Sequence, residues 1–204
     1  MSRQIYIIRH GNTFNKGDVV TRVGARTDLP LSNSGQAQAD ALASLLAERV
    51  TQFDAAYCSP LLRTQQTAKT ILAAQSNPPA LTLVDFLREI DYGPDENQPE
   101  DDVIARIGQN ALNLWESDAI APDGWQVSPA QLIQAWKDLF TKIAAETGKT
   151  GPVLVVTSNG VARFALQAIG NTGEHALKLK TGAFGIIEAS AHDDLAILEW
   201  NVRP

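Results

Sequence analysis

The fold of this chain is decided by the stretch Ile5-Tyr6-Ile7-Ile8-Arg9-His10-Gly11-Asn12-Thr13. Its first four residues are apolar and favour β-structure, so they predict a buried central strand. Gly11 allows the chain to turn sharply where that strand ends. Ligands of α/β sheets bind at the carboxyl ends of the strands, and Arg9 and His10 are therefore predicted to lie in a binding crevice.

Short β-type runs alternate with helical patterns along the rest of the chain, which is typical of a sheet covered by helices on both faces. The predicted strands are residues 5–8, 55–58, 81–84, 153–157, 185–188 and 195–200. Residues 189–194 are too few to form a crossover helix, so the last two strands are predicted to pair as an antiparallel hairpin. We therefore predict a three-layer α/β sandwich with a mixed, mostly parallel sheet.

Two helices can be placed from periodicity and capping. Apolar residues recur at helical spacing after Ser34-Gly35, which predicts a helix with one face on the sheet. Ser128 is a typical helix cap and is followed by a proline at the first helical position, with a glutamine two residues further on. These signals predict a long helix over residues 129–147, with Gly148 placed to end it.

Composition favours one cytoplasmic domain over residues 1–204, since 44% hydrophobic residues is ordinary for a globular fold. The net charge of -6 works against nucleic-acid binding, which requires a surplus of Lys and Arg. No apolar run approaches membrane-spanning length, and no export signal is recognised, so no membrane partner is expected. Cys58 is the only cysteine, and we expect it to be a packed thiol.

A single histidine after a strand is more often a packed residue than a nucleophile, so the rest of the chain has to decide between the two. Four more segments bear on this: GARTDLPLS at residues 24–32, SPLLRTQQTA at 59–68, LREIDYG at 87–93 and VVTSNGVAR at 155–163. In this order, and with Arg9-His10-Gly11 in front, they resemble the histidine phosphatase (phosphoglycerate mutase-like) superfamily. The resemblance covers nearly the whole chain.

The resemblance implies a role for each matching residue. His10 is the nucleophile that forms a covalent phosphohistidine, with a backbone carbonyl holding its other ring nitrogen. Arg9 and Arg63 grip the phosphoryl oxygens with planar donor forks. Glu89 is the general acid that protonates the leaving oxygen, and Asp91 in the same segment is the reserve.

Weaker candidates lie around these residues. Arg22 and Arg26 are further cations that either bind phosphate or form surface ion pairs, and Asn15 is a neutral donor at the rim of the site. His175 and His192 match no catalytic motif, so they are expected at the surface.

The segment at residues 155–163 departs from the pattern. Where the family usually has Ser-His-Gly-Gly, this chain has Thr157-Ser158-Asn159-Gly160, so Ser158 occupies the position of the second histidine. Losing one charged donor to the phosphoryl group can cost about 100- to 1000-fold in rate. Ser158 and Asn159 can still donate neutral hydrogen bonds, and backbone N–H groups at a helix start can bind an anion. We therefore keep both residues in the predicted phosphate site and expect reduced activity.

Residues 91–128 have the character of a loop-rich lid insertion with one helix, around residues 103–115. Its acidic residues are Asp91, Asp95, Glu96, Glu100, Asp101, Asp102, Glu116, Asp118 and Asp123, against the single base Arg106. They form either a lid that repels polyanions or a solvated acidic face. Their spacing is unlike a calcium loop, and the family's chemistry uses no metal, so we expect no metal and no other cofactor. Of the aromatic residues, Trp115, Trp125 and Trp136 either line a pocket or, as is more common, belong to the core.

Three functions remain open. The first is a metal-independent phosphatase of a small phosphomonoester, and the second is a mutase of the phosphoglycerate type. The third is a non-catalytic phospholigand-binding protein, which the replacement by Ser158 favours. The retention of His10 with Glu89 favours an enzyme, because simple anion binding needs neither a nucleophile nor an acid. The sequence leaves the substrate and the oligomeric state open.

Overall fold

A six-stranded sheet forms the centre of the computed structural model, which describes residues 2–170, 175–190 and 194–204. Its strands are β1 (Ser2–Arg9), β2 (Ala55–Cys58), β3 (Leu81–Leu83), β4 (Val153–Thr157), β5 (Phe184–Ser190) and β6 (Leu195–Val202). They are ordered β3-β2-β4-β1-β5-β6 across the sheet. β1 and β4, β2 and β4, and β2 and β3 pair in parallel, whereas β5 is antiparallel to both β1 and β6. The predicted mixed sheet and its closing hairpin are confirmed.

Helices cover both faces of this sheet, as predicted. Those of the described residues are α1 (Asn33–Arg49), α2 (Leu62–Ala73), α3 (Glu100–Ile107), α4 (Gln109–Asp118), α5 (Pro129–Ala145) and α6 (Asn159–Ile169). Strand β1 shows why two faces are needed, since successive side chains of a strand point to opposite sides. Ile5 and Ile7 join the core under α5 and α6, whereas Tyr6 and Ile8 join the core under α1 and α2. A central strand that is apolar on both faces therefore produces the three layers.

The two helices predicted from sequence are present, with two corrections. Helix α5 ends at Ala145, before the predicted end at residue 147, and its C-cap residue is Glu146 and not Gly148. Helix α1 is capped by Ser32, whose hydroxyl accepts from the backbone N–H of Gly35 at 3.1 Å. Ser128 stands in the corresponding position before α5, but its side chain makes no capping hydrogen bond. Its ψ of 96° differs from the 173° at Ser32, so its hydroxyl does not point toward the free backbone N–H groups of the first turn of α5.

The lid segment (residues 91–128) also corrects the prediction of one helix. It contains two short helices, α3 and α4, that meet at Gly108. Gly108 has φ of +81°, a left-handed conformation that glycine adopts without steric cost and that interrupts an α-helix. The apolar periodicity of this region thus extends over two helices with different axes.

Asp95 shows that the acidic lid residues are not all at the surface. Its carboxylate is 2% exposed, and it accepts hydrogen bonds from Arg106 and, at 2.6 Å, from the indole Nε1 of Trp125. Burial raises the pKa of Asp95, but the hydrogen bonds from Arg106 and Trp125 outweigh it and hold that pKa below its ordinary value. Asp95 therefore holds parts of the lid segment together through buried hydrogen bonds. Neither of our interpretations of the acidic residues anticipated this role.

Asp95→Asn is expected to lower the free energy of unfolding by about 2 kcal/mol at pH 7, because Arg106 and Trp125 lose the charged acceptor of their hydrogen bonds. The depressed pKa means that this stabilisation is present above the ordinary Asp pKa of about 4 and disappears as the pH falls through the folded-state value. Urea unfolding at neutral and at acidic pH measures the difference between the two proteins. A difference that stays constant down to about pH 2 would contradict this role.

The tryptophans and Cys58 belong to the core. Trp115, Trp125 and Trp136 are 1%, 6% and 0% exposed. Cys58 is fully buried, and burial raises the pKa of its thiol to about 12, so it is an inert packed residue as predicted.

His175 is exposed as predicted, while the prediction for His192 lies outside the described residues. In the described part of the chain, no helix is both long and apolar enough to cross a bilayer.

Candidate active site

A cavity of about 740 Å³ opens at the carboxyl end of β1. Its walls include Arg9 and His10, the loop after β1, Glu89 and Tyr92, the lid residues Glu100, Trp115 and Glu116, and then Asn159, Lys178 and Thr181. Strands β1 and β4 are parallel neighbours, so the residues that follow them come together at this edge of the sheet. The crevice predicted from the sequence is present.

Close backbone approaches hold His10 in its turn. A Cβ atom on Gly11 would lie 2.3 Å from the carbonyl oxygen of Gly35, so only glycine lets α1 begin against this turn. The backbone N–H of His10 donates to the carbonyl of Thr157 at 3.2 Å, and the His10 carbonyl accepts from Gly182 at 3.2 Å. The imidazole is therefore carried on a fixed backbone between β4 and the start of β5.

The hydrogen bonds of His10 assign its tautomer. Nδ1 lies 2.7 Å from the carbonyl oxygen of Gly11, and the Nε–H of Arg63 donates to Nε2 at 3.2 Å. Nδ1 therefore carries the proton and Nε2 carries the lone pair. Burial above all, followed by the charges of Arg63 and Arg9, holds the pKa of His10 well below its ordinary value, against a weaker opposing effect of the Gly11 bond. These effects favour the neutral imidazole over its protonated form.

Arg63 lies directly behind this imidazole. Besides the bond to His10, its guanidinium donates to the carbonyls of Thr27 at 2.8 Å and Gly24 at 3.2 Å, and the residue is fully buried. The structure thus brings together His10 and Arg63, which are 53 positions apart in sequence. Only the Nε–H edge of Arg63 is directed at the reactive nitrogen; phosphate binding by this residue stays a prediction.

Arg9 lies in the cavity wall and has a hydrogen-bond donor without a partner among the described residues. Its Nη1 donates to the carbonyl of Leu179 at 2.8 Å, while its buried Nε has no hydrogen-bond partner among the described residues. Burial lowers the pKa of Arg9, and the charge of Glu89 is the largest effect opposing that shift. An anion in the cavity would both meet this donor and compensate its buried charge.

Glu89 is the buried carboxyl group of the cavity. One oxygen accepts from the backbone N–H of Ile90 at 2.9 Å, and the other accepts from Gly160 in the first turn of α6 at 3.2 Å. A Cβ atom on Gly160 would lie 2.2 Å from the Glu89 carboxylate, so the glycine gives the carboxylate its place. The free lone pairs of Glu89 can then serve proton transfer.

Gly160→Ala is expected to lower kcat about 100-fold by pushing the Glu89 carboxylate out of position. Alanine is about 1 kcal/mol better than glycine in a helix, which offsets part of the cost of displacing the buried side chains of Glu89 and Ile90. Steady-state kinetics and thermal unfolding of the variant test both statements. Both substitutions impair the same carboxylate, so the Gly160→Ala/Glu89→Gln double variant should have a kcat only slightly below that of Gly160→Ala. If the two losses in kcat multiply in full, Gly160 affects the rate by a route other than Glu89.

Ser158 and Asn159 begin α6 beside this carboxylate. Ser158 is fully buried, and its hydroxyl neither caps the helix nor has another hydrogen-bond partner among the described residues. Asn159 lines the cavity, and its side-chain oxygen accepts from the backbone N–H of Leu179 at 2.9 Å. Asn159 is thus in the cavity wall, whereas Ser158 is buried just before it, and phosphate binding by both residues stays a prediction.

The weaker candidates separate into two groups. Arg22 and Asn15 line the cavity, but Arg22 already makes two hydrogen bonds to the Glu100 carboxylate, at 2.5 and 2.6 Å. Arg26 is 58% exposed and pairs with Asp91 at 2.9 Å, and neither residue belongs to the cavity wall among the described residues. Asp91 therefore has no contact with the His10 cavity from which to act as the reserve acid.

Sequence reasoning missed the loop before β5. Lys178 and Thr181 line the cavity, and Gly182 bonds to His10. The antiparallel pairing of β5 with β1 puts the start of β5 at the carboxyl end of β1, and the predicted hairpin was the signal that could have located this loop. In the described part of the chain, no group of three or more His, Cys, Asp or Glu residues could hold a metal ion.

The order of the matching segments and this geometry agree with one family. The family model of the histidine phosphatase superfamily (branch 1) matches residues 5–203. The chain belongs to the histidine phosphatase superfamily. Its reaction is therefore of the phosphoryl-transfer kind, which includes phosphatases and mutases.

Members of the superfamily with similar sequences include two bacterial 2,3-bisphosphoglycerate-dependent phosphoglycerate mutases. The protein of Brucella ovis is 31% identical over 205 residues, covering 98% of each chain. That of Mesorhizobium japonicum is 30% identical over 186 residues, covering 89% of each. Among solved structures, the mycobacterial glucosyl-3-phosphoglycerate phosphatase superposes with a TM-score of 0.78 at 19% identity, covering 99% of this chain and 100% of its own. This last likeness shows that the superfamily fold is shared.

Proposed function

We propose that this protein is a metal-independent phosphatase that hydrolyses a small phosphomonoester through a phosphohistidine on His10. The observation that carries this function is the tautomer of His10, with its proton on Nδ1 and its lone pair on Nε2. A neutral imidazole with a free lone pair is the form that attacks phosphorus. Glu89 lines the same cavity, so a nucleophile and an acid are available together.

Binding of the substrate phosphate uses the donors that have spare capacity. The Nε–H of Arg9 and the hydroxyl of Ser158 have no partner among the described residues, and both are buried. When a phosphoryl group approaches His10, the Nε–H of Arg63 stops donating to the imidazole nitrogen and donates to a phosphoryl oxygen instead. The lone pair on His10 Nε2 is then free for attack. Asn159 and the first N–H groups of α6 add neutral donors.

In the first chemical step, His10 Nε2 forms a bond to phosphorus as the bond to the leaving oxygen breaks. Glu89, in its protonated form, gives its proton to that oxygen, so the alcohol leaves neutral. In the second step Glu89, now ionised, accepts a proton from water. The hydroxide attacks phosphorus, the P–N bond breaks, and inorganic phosphate, neutral His10 and protonated Glu89 are regenerated.

The charges of the lid segment favour hydrolysis over a bisphosphate-dependent mutase reaction. Its residues in the cavity wall are Tyr92, Glu100, Trp115 and Glu116, none of which is a cation. Arg22, which faces them, is engaged by Glu100. A doubly phosphorylated ligand needs cations at both ends, and this wall offers it two carboxylates.

Mutase activity is the second candidate, and the full-length mutase relatives at 30–31% identity favour it. The deciding experiment supplies p-nitrophenyl phosphate with a chelator present, and separately 3-phosphoglycerate with and without 2,3-bisphosphoglycerate. We expect chelator-resistant hydrolysis and an acid-labile phosphoenzyme that survives alkali. Isomerisation of 3-phosphoglycerate faster than any hydrolysis would make the protein a mutase, and absence of both reactions would make it a binding protein.

Ser158→His is expected to raise kcat for p-nitrophenyl phosphate about tenfold or more. The imidazole restores one charged donor at the phosphoryl group, where Ser158 now offers a neutral hydroxyl. Initial rates of the two proteins between mildly acidic and neutral pH measure the gain. A fall in rate, with the fold intact, would show that the pocket has been rebuilt around serine and no longer admits the ring.

A further inference from the structure

We propose that Lys178 binds the transferring phosphoryl group and supplies the cation that Ser158, in the place of a second histidine, does not provide. Lys178 lies in the loop before β5, outside the short motif segments quoted above, and it lines the same cavity as His10. This role deepens the proposed function and rests on it.

The loop that carries Lys178 is fastened to the phosphate site itself. The backbone N–H of Leu179 donates to Asn159 at 2.9 Å, and the Leu179 carbonyl accepts from Arg9 at 2.8 Å. Three residues further on, Gly182 donates to the carbonyl of His10 at 3.2 Å. The chain that follows Lys178 toward β5 is thus held by Asn159, Arg9 and His10, so the backbone at Lys178 is fixed next to the site.

The present partner of Lys178 can be exchanged. Its Nζ lies 3.2 Å from a carboxylate oxygen of Glu116, with the two side chains 52% and 40% exposed. Ion pairs as exposed as this one are weak and screened by salt. The other oxygen of Glu116 lies 3.8 Å from the buried guanidinium of Arg163, so Glu116 keeps a cation when Lys178 turns to a dianion.

The other cations of the cavity are less suited to this role. Arg22 is engaged by Glu100 through two short hydrogen bonds. Lys16 is exposed on the loop after β1, where the neighbouring Asn15 bonds to Asp18 and to Asn33 of α1 and not to Arg9 or His10. Lys178 combines a mobile ammonium group with a loop anchored at the reacting centre.

Inorganic phosphate binding, followed by calorimetry on the intact chain, tests this role independently of turnover. Lys178→Ala is expected to weaken phosphate binding about tenfold, the effect of one charge-assisted hydrogen bond. Lys180→Ala is the matched control, because Lys180 is an exposed lysine of the same loop that is absent from the cavity wall among the described residues. In a Ser158→His background, the loss from Lys178→Ala should shrink to about threefold or less, since the imidazole then supplies the charge.

Equal phosphate affinities of Lys178→Ala and Lys180→Ala would overturn the role of Lys178, as would an undiminished loss in the Ser158→His background. Lys178→Arg should keep most of the affinity, and a variant as weak as alanine would indicate a structural defect instead of a lost charge. Failure of the proposed function would look different: phosphate binding would depend on Lys178, yet p-nitrophenyl phosphate would not be hydrolysed.

Discussion

His10→Ala is expected to lower kcat for p-nitrophenyl phosphate by about 10⁴-fold or more, the scale of losing a covalent nucleophile. The variant should also form no phosphoenzyme, since in the proposed mechanism Nε2 is the atom that bonds to phosphorus. Rapid acid-free quenching with labelled substrate, followed by alkaline separation of phosphohistidine, measures the intermediate directly. Because burial holds the pKa of His10 well below its ordinary value, the wild-type rate should not fall through protonation of this residue at mildly acidic pH.

His175→Ala is the matched control, since His175 is exposed and lies outside the cavity wall that contains His10. Its activity should equal that of the wild type. His10→Ala removes the acceptor of the buried Nε–H of Arg63, so its thermal unfolding must be compared as well. A folded His10→Ala protein that still forms an alkali-stable phosphoenzyme would place the nucleophile elsewhere.

Glu89→Gln is expected to lower kcat/KM about 1000-fold for an alkyl phosphomonoester such as glycerol phosphate, and far less for p-nitrophenyl phosphate. The ratio kcat/KM reports the steps up to departure of the alcohol, so it leaves out the later hydrolysis in which Glu89 activates water for both substrates. An alkoxide is a poor leaving group and needs the proton of Glu89, whereas p-nitrophenolate leaves without one. The ratio of the two losses therefore isolates general acid catalysis from simple damage to the site. Steady-state kinetics with both substrates provide it.

The side-chain amide in Glu89→Gln also disturbs the backbone hydrogen bonds that Glu89 makes. The two oxygens of Glu89 accept from Ile90 and Gly160, and an NH₂ group in place of either oxygen would face an N–H donor. Some of the loss will therefore be positional and common to both substrates. Asp91→Asn should change neither rate by more than about threefold, because Asp91 pairs with Arg26 away from the cavity. A larger loss in Asp91→Asn than in Glu89→Gln would reassign the acid.

Much of the site could be predicted because its determinants are local. The apolar run of β1 followed by Arg9-His10-Gly11 predicts a strand, a turn and a presented imidazole, each set by neighbours in sequence. Glu89 and Ser158 could be placed by resemblance, because they stand in short segments of fixed spacing. The break at Gly108 escaped prediction because the apolar periodicity continues across it, and a glycine inside a helical pattern can be tolerated or can end the helix, as it does here with φ of +81°.

The sequence by itself determined the sheet, its two covered faces and the residues that meet at the end of β1, because strand and helix periods are properties of short stretches. Only the tertiary structure decided the chemistry of those residues. The tautomer of His10 depends on Arg63, which is 53 positions away, and the internal role of Asp95 depends on Arg106 and Trp125. Lys178 reaches the site only because β5 runs antiparallel to β1. Such contacts arise from distant segments that become neighbours on folding, and no local pattern encodes them.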